Sequence, residues 1–393
     1  MVETILPIGP QHPALKEPVN FKVIVDGETI VGLELDVSYT HRGIEKAAEQ
    51  RDFIRVVPLL ERVCGICSHA HAQAFCTGIE EVMQLEVPPR AQYIRTIVAE
   101  LERMHSHILW LGVAAHEVGF NTLFMWTWRD RETTQDILEE MTGNRMNYGI
   151  NEVGGVRRDL TAGQISSILS RLPKLEEQIG KYVGMVKGEE TMLLRFRGIG
   201  KLSKAEALKY GTVGPTARAS GVDYDIRRDD PYIAYSEIPW KVVTDTNGDV
   251  YGRTLVRIRE LQESLGIIRY CLEHLPEGPI GVQAPKVAPK AEIFSRYEAP
   301  RGELVHFMRT NGTDRVERLD IRTPTLANWT SVTVSLVNQH IADIPVIVAA
   351  IDPCLSCTSR ITILNEQGRE KARMTLEQLS EYGRKYSRER GRC

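Results

Sequence analysis

Apolar and polar positions alternate in residues 21–25 and 29–36, on either side of Asp26-Gly27. A period of two flanking an Asp-Gly pair predicts a β-hairpin. The same reasoning predicts hairpins at Asn247-Gly248, within residues 242–251, and at Asn311-Gly312. Elsewhere the period lengthens to that of a helix. Residues 68 to about 85 are apolar at helical spacing, and Pro88 and Pro89 end that segment. Ile94, Ile97, Val98, Leu101, Met104, Ile108 and Leu111 trace one face of a second, longer helix. Thr161 and Gln164 form a capping box opening a helix to about residue 186, with Pro173 as its kink or break. Residues 255–275 and 325–342 are helical by period, 344–351 is a short apolar run, and a weak helix starts at Thr375. Two close prolines make Gly9-Pro10-Gln11-His12-Pro13-Ala14 a rigid turn.

This pattern predicts a mainly α fold with peripheral β-hairpins, an α+β helix bundle. It forms one domain over residues 1–360, with a basic, charged tail at 361–393. No internal repeat or low-complexity linker divides it.

Composition narrows the class. The chain has 393 residues, 42% hydrophobic and 26% charged, as expected of a globular protein. A formal net charge of -3 gives no general attraction to nucleic acid or anionic lipid. No run approaches the ~18 apolar residues of a membrane helix. Met1-Val2-Glu3-Thr4 lacks the basic and apolar regions of a signal peptide. Seven cysteines, four of them in spaced pairs, suit a reducing compartment better than a disulfide framework. The expectation is a cytoplasmic protein that meets a membrane only through partners.

The pairs carry the chemistry. Cys64 and Cys67 lie near one end of the chain, and Cys354 and Cys357 near the other. Thiolates are soft ligands that select zinc, nickel or iron over magnesium and calcium. A four-cysteine structural zinc site is the commonest use of such pairs. Zinc ribbons, however, place their pairs roughly 15–20 residues apart, and here nearly the whole chain intervenes. A thioredoxin-like redox pair accounts for one motif but not for two.

Arg62-x-Cys64-Gly65-x-Cys67-x-x-x-His71, with Asp352-Pro353-Cys354-x-x-Cys357, resembles the large subunit of nickel–iron hydrogenases. The resemblance implies nickel held by four thiolates, with Cys64 and Cys354 terminal. Cys67 and Cys357 would bridge to an iron carrying carbon monoxide and cyanide. The Gly-Pro-Gln-His-Pro turn and the first hairpin resemble the quinone-site core subunit of respiratory complex I, which lacks the four cysteines. The chain is therefore similar to the branch between the two, the energy-converting, membrane-bound (group 4) nickel–iron hydrogenases. The match runs over nearly the whole length, including the glycine-rich stretch 151–160 and the segment 214–228. Arginines of that last segment either face an iron–sulfur partner or are solvated surface charge.

Further site residues follow from the resemblance. Ala299-Pro300-Arg301-Gly302 matches the segment that sets an arginine over the open side of the metals, with Asp352 supporting it by a hydrogen bond. Pro300, Thr325 and His71 would line the cofactor, the region around Thr325 by hydrogen bonds to the cyanides. Glu45, in the R-G-x-E stretch at 42–45, is either a helix-start carboxylate or a group at an outer magnesium or in a proton path. Glu17 stands where this branch has a candidate proton-gate glutamate; a solvated turn carboxylate is the simpler reading. An aspartate common in these enzymes is replaced by Ser106, and neighbouring His105 and His107 read as satisfied core groups. Cys67 at a helix start would have its thiolate favoured by the dipole, while Cys76 and Cys271 read as core.

The activity implied is reversible reduction of two protons by two electrons to dihydrogen. No further cysteines have iron–sulfur spacing, so a small partner subunit with a 4Fe–4S cluster is implied. Complex I-like membrane subunits would couple the reaction to ion translocation at the cytoplasmic face, with reduced ferredoxin as donor. Many members of the family lose the residues beyond the second motif on nickel loading; cleavage after Arg360 would fit that pattern, the alternative being that this chain keeps residues 361–393. The rivals are a sulfur-reducing sister complex, a complex I-like dehydrogenase subunit and a zinc scaffold.

Overall fold

A computed structural model describes residues 4–13, 15, 17–358 and, in the tail, 381, 382, 384, 385, 388 and 389. Strands β1 (Thr4–Ile8), β2 (Asn20–Asp26) and β3 (Thr29–Asp36) form an antiparallel sheet in that order. Phe21, Val23 and Val25 point inward while Lys22 is exposed, the period-two alternation that predicts the β2–β3 hairpin. β1 is an addition to it. Residues 4–7 are exposed and include Pro7, so it carries no amphipathic signal; it pairs along the sheet edge, where proline is tolerated.

Helices α1 (Ile44–Glu49) and α2 (Phe53–Leu60) lead into the first cysteine loop, and α3 (Ser68–Met83) leaves it. Pro89 opens α4 (Pro89–Glu117), proline being favoured in a first helical turn. α4 is the axis of the molecule, packing along α5 (Asn121–Thr142) and touching α3. A two-residue ladder, β4 (Asn151–Glu152) with β5 (Gly155–Val156), fills the glycine-rich stretch. The capping box at Thr161 is formed as expected, and α6 (Ala162–Gly188) runs unbroken through Pro173. Short helices α7 (Glu190–Phe196), α8 (Lys204–Lys209), α9 (Gly214–Arg218) and α10 (Ile226–Asp229) precede α11 (Val250–Glu273), which packs on α4 and α6. Strands β6 (Ala291–Ala299), β7 (Gly302–Thr310) and β8 (Val316–Arg322) form a second antiparallel sheet against α3 and α1. α12 (Pro324–Leu336) and α13 (Ile344–Ala350) return the chain to the second cysteine loop. The fold is mainly α with small antiparallel sheets.

Two expectations fail locally. Residues 242–249 form no hairpin. Asn247 donates to Asp245, Gly248 (φ 67°) lets its N–H reach the Ala219 carbonyl, and Asp249 caps α11 through the Gly252 N–H. The Asn-Gly pair turns into a helix start rather than a second strand. α12 stops at Leu336, short of residue 342, because Asn338 (φ 65°) leaves the helix and donates to the Ile30 carbonyl. The apolar run after Ile344 is a helix, a choice that periodicity cannot make for so short a run. The helix start at Thr375 lies outside the described residues. Among the described residues no helix is long and apolar enough to cross a membrane.

Candidate metal centre

The two cysteine loops meet in the core. Cys64 ends a short 3-10 turn (Glu61–Val63) that continues α2, and Cys67 is the N-cap of α3. Cys354 and Cys357 begin and end a second such turn, Leu355–Cys357, just beyond α13. All four are buried, and Cys64 Sγ lies 3.2 Å from Cys354 Sγ across 290 residues of chain. Within the pairs, the Cys67 N–H donates to Cys64 Sγ at 3.5 Å, and the Cys357 thiol to the Cys354 carbonyl at 3.1 Å.

Contacts among the four thiols, together with burial, raise their pKa values. Contact with Cys64 lowers Cys67, but burial and the other thiols push it up to about 11. Cys357 is raised by its contact with Cys354 and by burial, and Cys64 and Cys354 are raised as well. Among the described residues no three His, Cys, Asp or Glu side chains are spaced to hold a metal ion. The donor set nevertheless fits a thiolate-bound metal centre: four soft donors, sealed from water, with a guanidinium beside them to balance thiolate charge.

That guanidinium is Arg301, in the two-residue turn between β6 and β7, where Ala299 pairs with Gly302. Buried at 3% exposure, it donates from Nε to the Asp352 carbonyl and from Nη2 to Asp352 Oδ1, both at 2.7 Å, and from Nη1 to Ser106 Oγ at 3.2 Å. Burial opposes its charge, but Asp352 and the thiols of Cys64, Cys354 and Cys67 outweigh it, so Arg301 stays protonated. Asp352 Oδ2 is buried without a hydrogen-bond partner, and its backbone is left-handed at φ 57°. Pro300 enters only as the other residue of the Arg301 turn. Thr325 Oγ1 accepts from the Cys354 N–H at 3.2 Å, and the Thr323 hydroxyl donates to the Cys357 carbonyl at 3.3 Å.

Glu17 is half-buried, and its carboxylate accepts the N–H groups of Leu355 and Ser356 inside the second cysteine loop. Its other side opens on a pocket of about 400 Å³ lined by Gln11, His12 and Leu15. Glu45 does stand in the first turn of α1 and accepts the Ile321 N–H at 2.9 Å. It also lines a small cavity of about 40 Å³ with Arg42, Val63, Ser356 and Cys357. His71 contacts His306 at 3.3 Å, and burial lowers its pKa to about 3, leaving the ring neutral. His105 and His107 are partnered core groups, bound to the Ile66 carbonyl and to Glu260.

Arg218 and Arg227 are neither surface charges nor open to a partner. Both are fully buried, Arg218 between Glu260 and Glu298 and Arg227 between Asp225 and Glu100. Of that segment's matched arginines only Arg228 is exposed, bound to Asp223 and Asp229. Sequence reasoning also passed over Glu102, a buried carboxylate on α4 that accepts the His69 and Ala70 N–H groups at 2.6 and 3.1 Å. It occupies the same free helix start as Cys67.

Comparison with known proteins agrees with this architecture. The model of the respiratory-chain NADH dehydrogenase 49 kDa subunit matches residues 117–292 and 286–360, and that of nickel-dependent hydrogenase matches residues 42–160. The carbon monoxide-induced hydrogenase of Rhodospirillum rubrum is 41% identical over 356 residues, 90% of this chain and 99% of its own. The membrane-bound hydrogenase subunit alpha of Pyrococcus furiosus is 40% identical over 377 residues, 92% of this chain and 88% of its own. A chain of the solved membrane-bound sulfane sulfur reductase, an archaeal respiratory membrane complex, superposes with a TM-score of 0.87 at 31% identity, covering 91% of this chain and 98% of that one. The chain thus belongs to the family that joins the large subunits of membrane-bound nickel-dependent hydrogenases to the 49 kDa subunit of respiratory-chain NADH dehydrogenase.

Proposed function

We propose that this chain is the catalytic subunit of a membrane-bound nickel–iron hydrogenase that reduces protons to dihydrogen. The observation that carries the reading is the meeting of four buried cysteines from opposite ends of the chain beside the Arg301–Asp352 pair. A complex I-like subunit acting only as a conformational relay has no use for four such thiols. The kinship with two hydrogenases at 40% and 41% identity supports it.

Nickel and an iron bearing carbon monoxide and cyanide, when bound, supply the two-electron chemistry. Cys64, Cys67, Cys354 and Cys357 would hold them as thiolates. Arg301, fixed by Asp352 through two bonds, presents a permanent positive charge that stabilises negative charge at the centre. Its planar fork sets direction as well as charge. Glu17 moves protons between the second cysteine loop and the open pocket at Gln11 and His12. Thr325 orients the second cysteine loop through the Cys354 N–H, and His71 packs from α3 against His306. Electrons arrive through a small 4Fe–4S subunit from reduced ferredoxin, because Cys76, Cys271 and Cys393 stand singly. Complex I-like membrane subunits hold the chain at the cytoplasmic face and couple the reaction to ion translocation.

The test is dihydrogen evolution by the purified complex with reduced ferredoxin, run beside reduction of polysulfide. Evolution in wild type and its loss in Cys64→Ser support the proposal. Sulfide production without dihydrogen supports the second reading, a sulfur reductase, which the likeness to the sulfane sulfur reductase favours.

A further inference from the structure

Arg42 is exposed and precedes α1, a place where an arginine is usually a solvated charge. Its hydrogen bonds do not fit that role. Nη1 donates to the Arg62 carbonyl at 2.7 Å, and Nη2 donates to the Val63 carbonyl at 2.8 Å and the Ser356 carbonyl at 2.9 Å. Val63 immediately precedes Cys64, and Ser356 immediately precedes Cys357. One guanidinium thus binds both cysteine loops at once.

We infer that Arg42 is a positioning residue that staples the two cysteine loops together and so sets the distance between the two thiol pairs. Three features make the contact specific. Arg62 and Val63 close the 3-10 turn continuing α2, where carbonyls lack helical partners and the dipole favours a cation. Arginine offers five donors in a fixed fork, enough to serve several carbonyls together. The anchor is also independent of both loops. Gly43, left-handed at φ 64°, starts α1, which packs on β8 and is tied to it by Glu45 and the Ile321 N–H. Thr40 reinforces the grip, its hydroxyl donating to the Leu355 carbonyl at 3.0 Å.

Glu17, Thr40, Thr323, Thr325 and Arg301 also hold the second loop. Of these contacts, Arg42 alone also holds the loop of Cys64. Without it, each pair of thiols keeps its own turn but not its spacing to the other pair. The inference deepens the proposed function and rests on it for its consequence, but the staple itself can be tested without nickel.

Two measurements on the full-length, metal-free chain test it, with Arg42→Ala and Arg42→Lys. In hydrogen–deuterium exchange, residues 352–358 should exchange about tenfold faster in Arg42→Ala, with α4 and α11 unchanged. Cobalt(II), a probe whose thiolate charge-transfer absorption reports the number of sulfur ligands, should bind about 10–100-fold more weakly, the usual effect of losing a residue that orients ligands. Its absorption should fall as the two pairs bind separately. Arg42→Lys, which keeps the charge but loses the fork, should fold normally and recover only part of both signals. Unchanged exchange at residues 352–358 in both variants overturns the staple. If cobalt shows no thiolate absorption even in wild type, the metal reading fails, and exchange alone still decides on Arg42.

Discussion

Glu102 offers a test in which burial and hydrogen bonding pull in opposite directions. Its carboxyl lies wholly inside the protein, and burial raises its pKa from 4.5 to about 8 against the pull of the His69 and Ala70 N–H groups. Each pKa unit is worth about 1.36 kcal/mol, so full ionisation in place costs the fold roughly 5 kcal/mol. The sign follows from a folded pKa above the unfolded one. Below about pH 4.5 both states are protonated and nothing is lost; stability then falls as pH rises, until the cost is complete above about pH 8. Glu102→Gln cannot titrate, but turns one acceptor into a donor facing a backbone N–H, a loss of about 1–2 kcal/mol at every pH. The variant should be the less stable form at pH 5 and the more stable at pH 9. The wild-type-minus-variant difference should move by about 4 kcal/mol between them. Urea unfolding of the metal-free full-length chain, followed by tryptophan fluorescence, measures it, and the comparison cancels groups that titrate alike in both proteins. A difference that stays constant with pH refutes the reasoning, since it means that the two N–H groups keep Glu102 ionised throughout.

Other substitutions probe the proposed centre. Arg301→Lys keeps the charge but cannot reproduce three bonds to Asp352 and Ser106; dihydrogen evolution should fall about 10–100-fold with nickel content intact, and unchanged turnover would remove Arg301 from the chemistry. Glu17→Gln keeps an acceptor for the second cysteine loop but not the titration, so evolution and proton–deuterium exchange should drop by about 10²-fold or more at normal nickel content. Near-normal exchange there, with His105 or His107 variants impaired, would reassign the proton route. Asp352→Ala leaves Arg301 buried without its carboxylate and replaces an aspartate, which tolerates φ 57°, by a residue that does so less well, for a loss of about 3–5 kcal/mol in urea unfolding. Asp352→Asn, which tolerates that backbone and keeps one acceptor, should lose clearly less; equal losses would contradict the pairing.

Much of this molecule could be read from its pattern of residues, and the failures have physical causes. The α3 and α4 helices, the capping box at Thr161 and the β2–β3 hairpin carry strong periodic or capping signals. α5 does not: its buried stripe includes Thr127, Asp130, Arg131, Thr134 and Gln135 beside Leu123 and Ile137, so apolar periodicity is hidden. Arg218 and Arg227 look like surface charges because sequence does not show the carboxylates of Glu260, Glu298, Glu100 and Asp225 that neutralise them inside. The cysteine motifs pointed to one centre, but the staple at Arg42 depends on contacts between residues up to 314 positions apart. Glu102 was invisible for the opposite reason. It lies on a helix whose apolar stripe gives no hint that one carboxylate turns inward to another helix's start.

The central claim is that one nickel–iron centre is held jointly by both cysteine pairs. Metal analysis of the purified complex and of its Cys64→Ser and Cys354→Ser variants tests it most directly. Nickel in wild type at one atom per chain, with iron beside it in excess of the partner's clusters, and loss of nickel from each variant is the predicted result. Zinc in place of nickel, or nickel retained when either pair is broken, would contradict it.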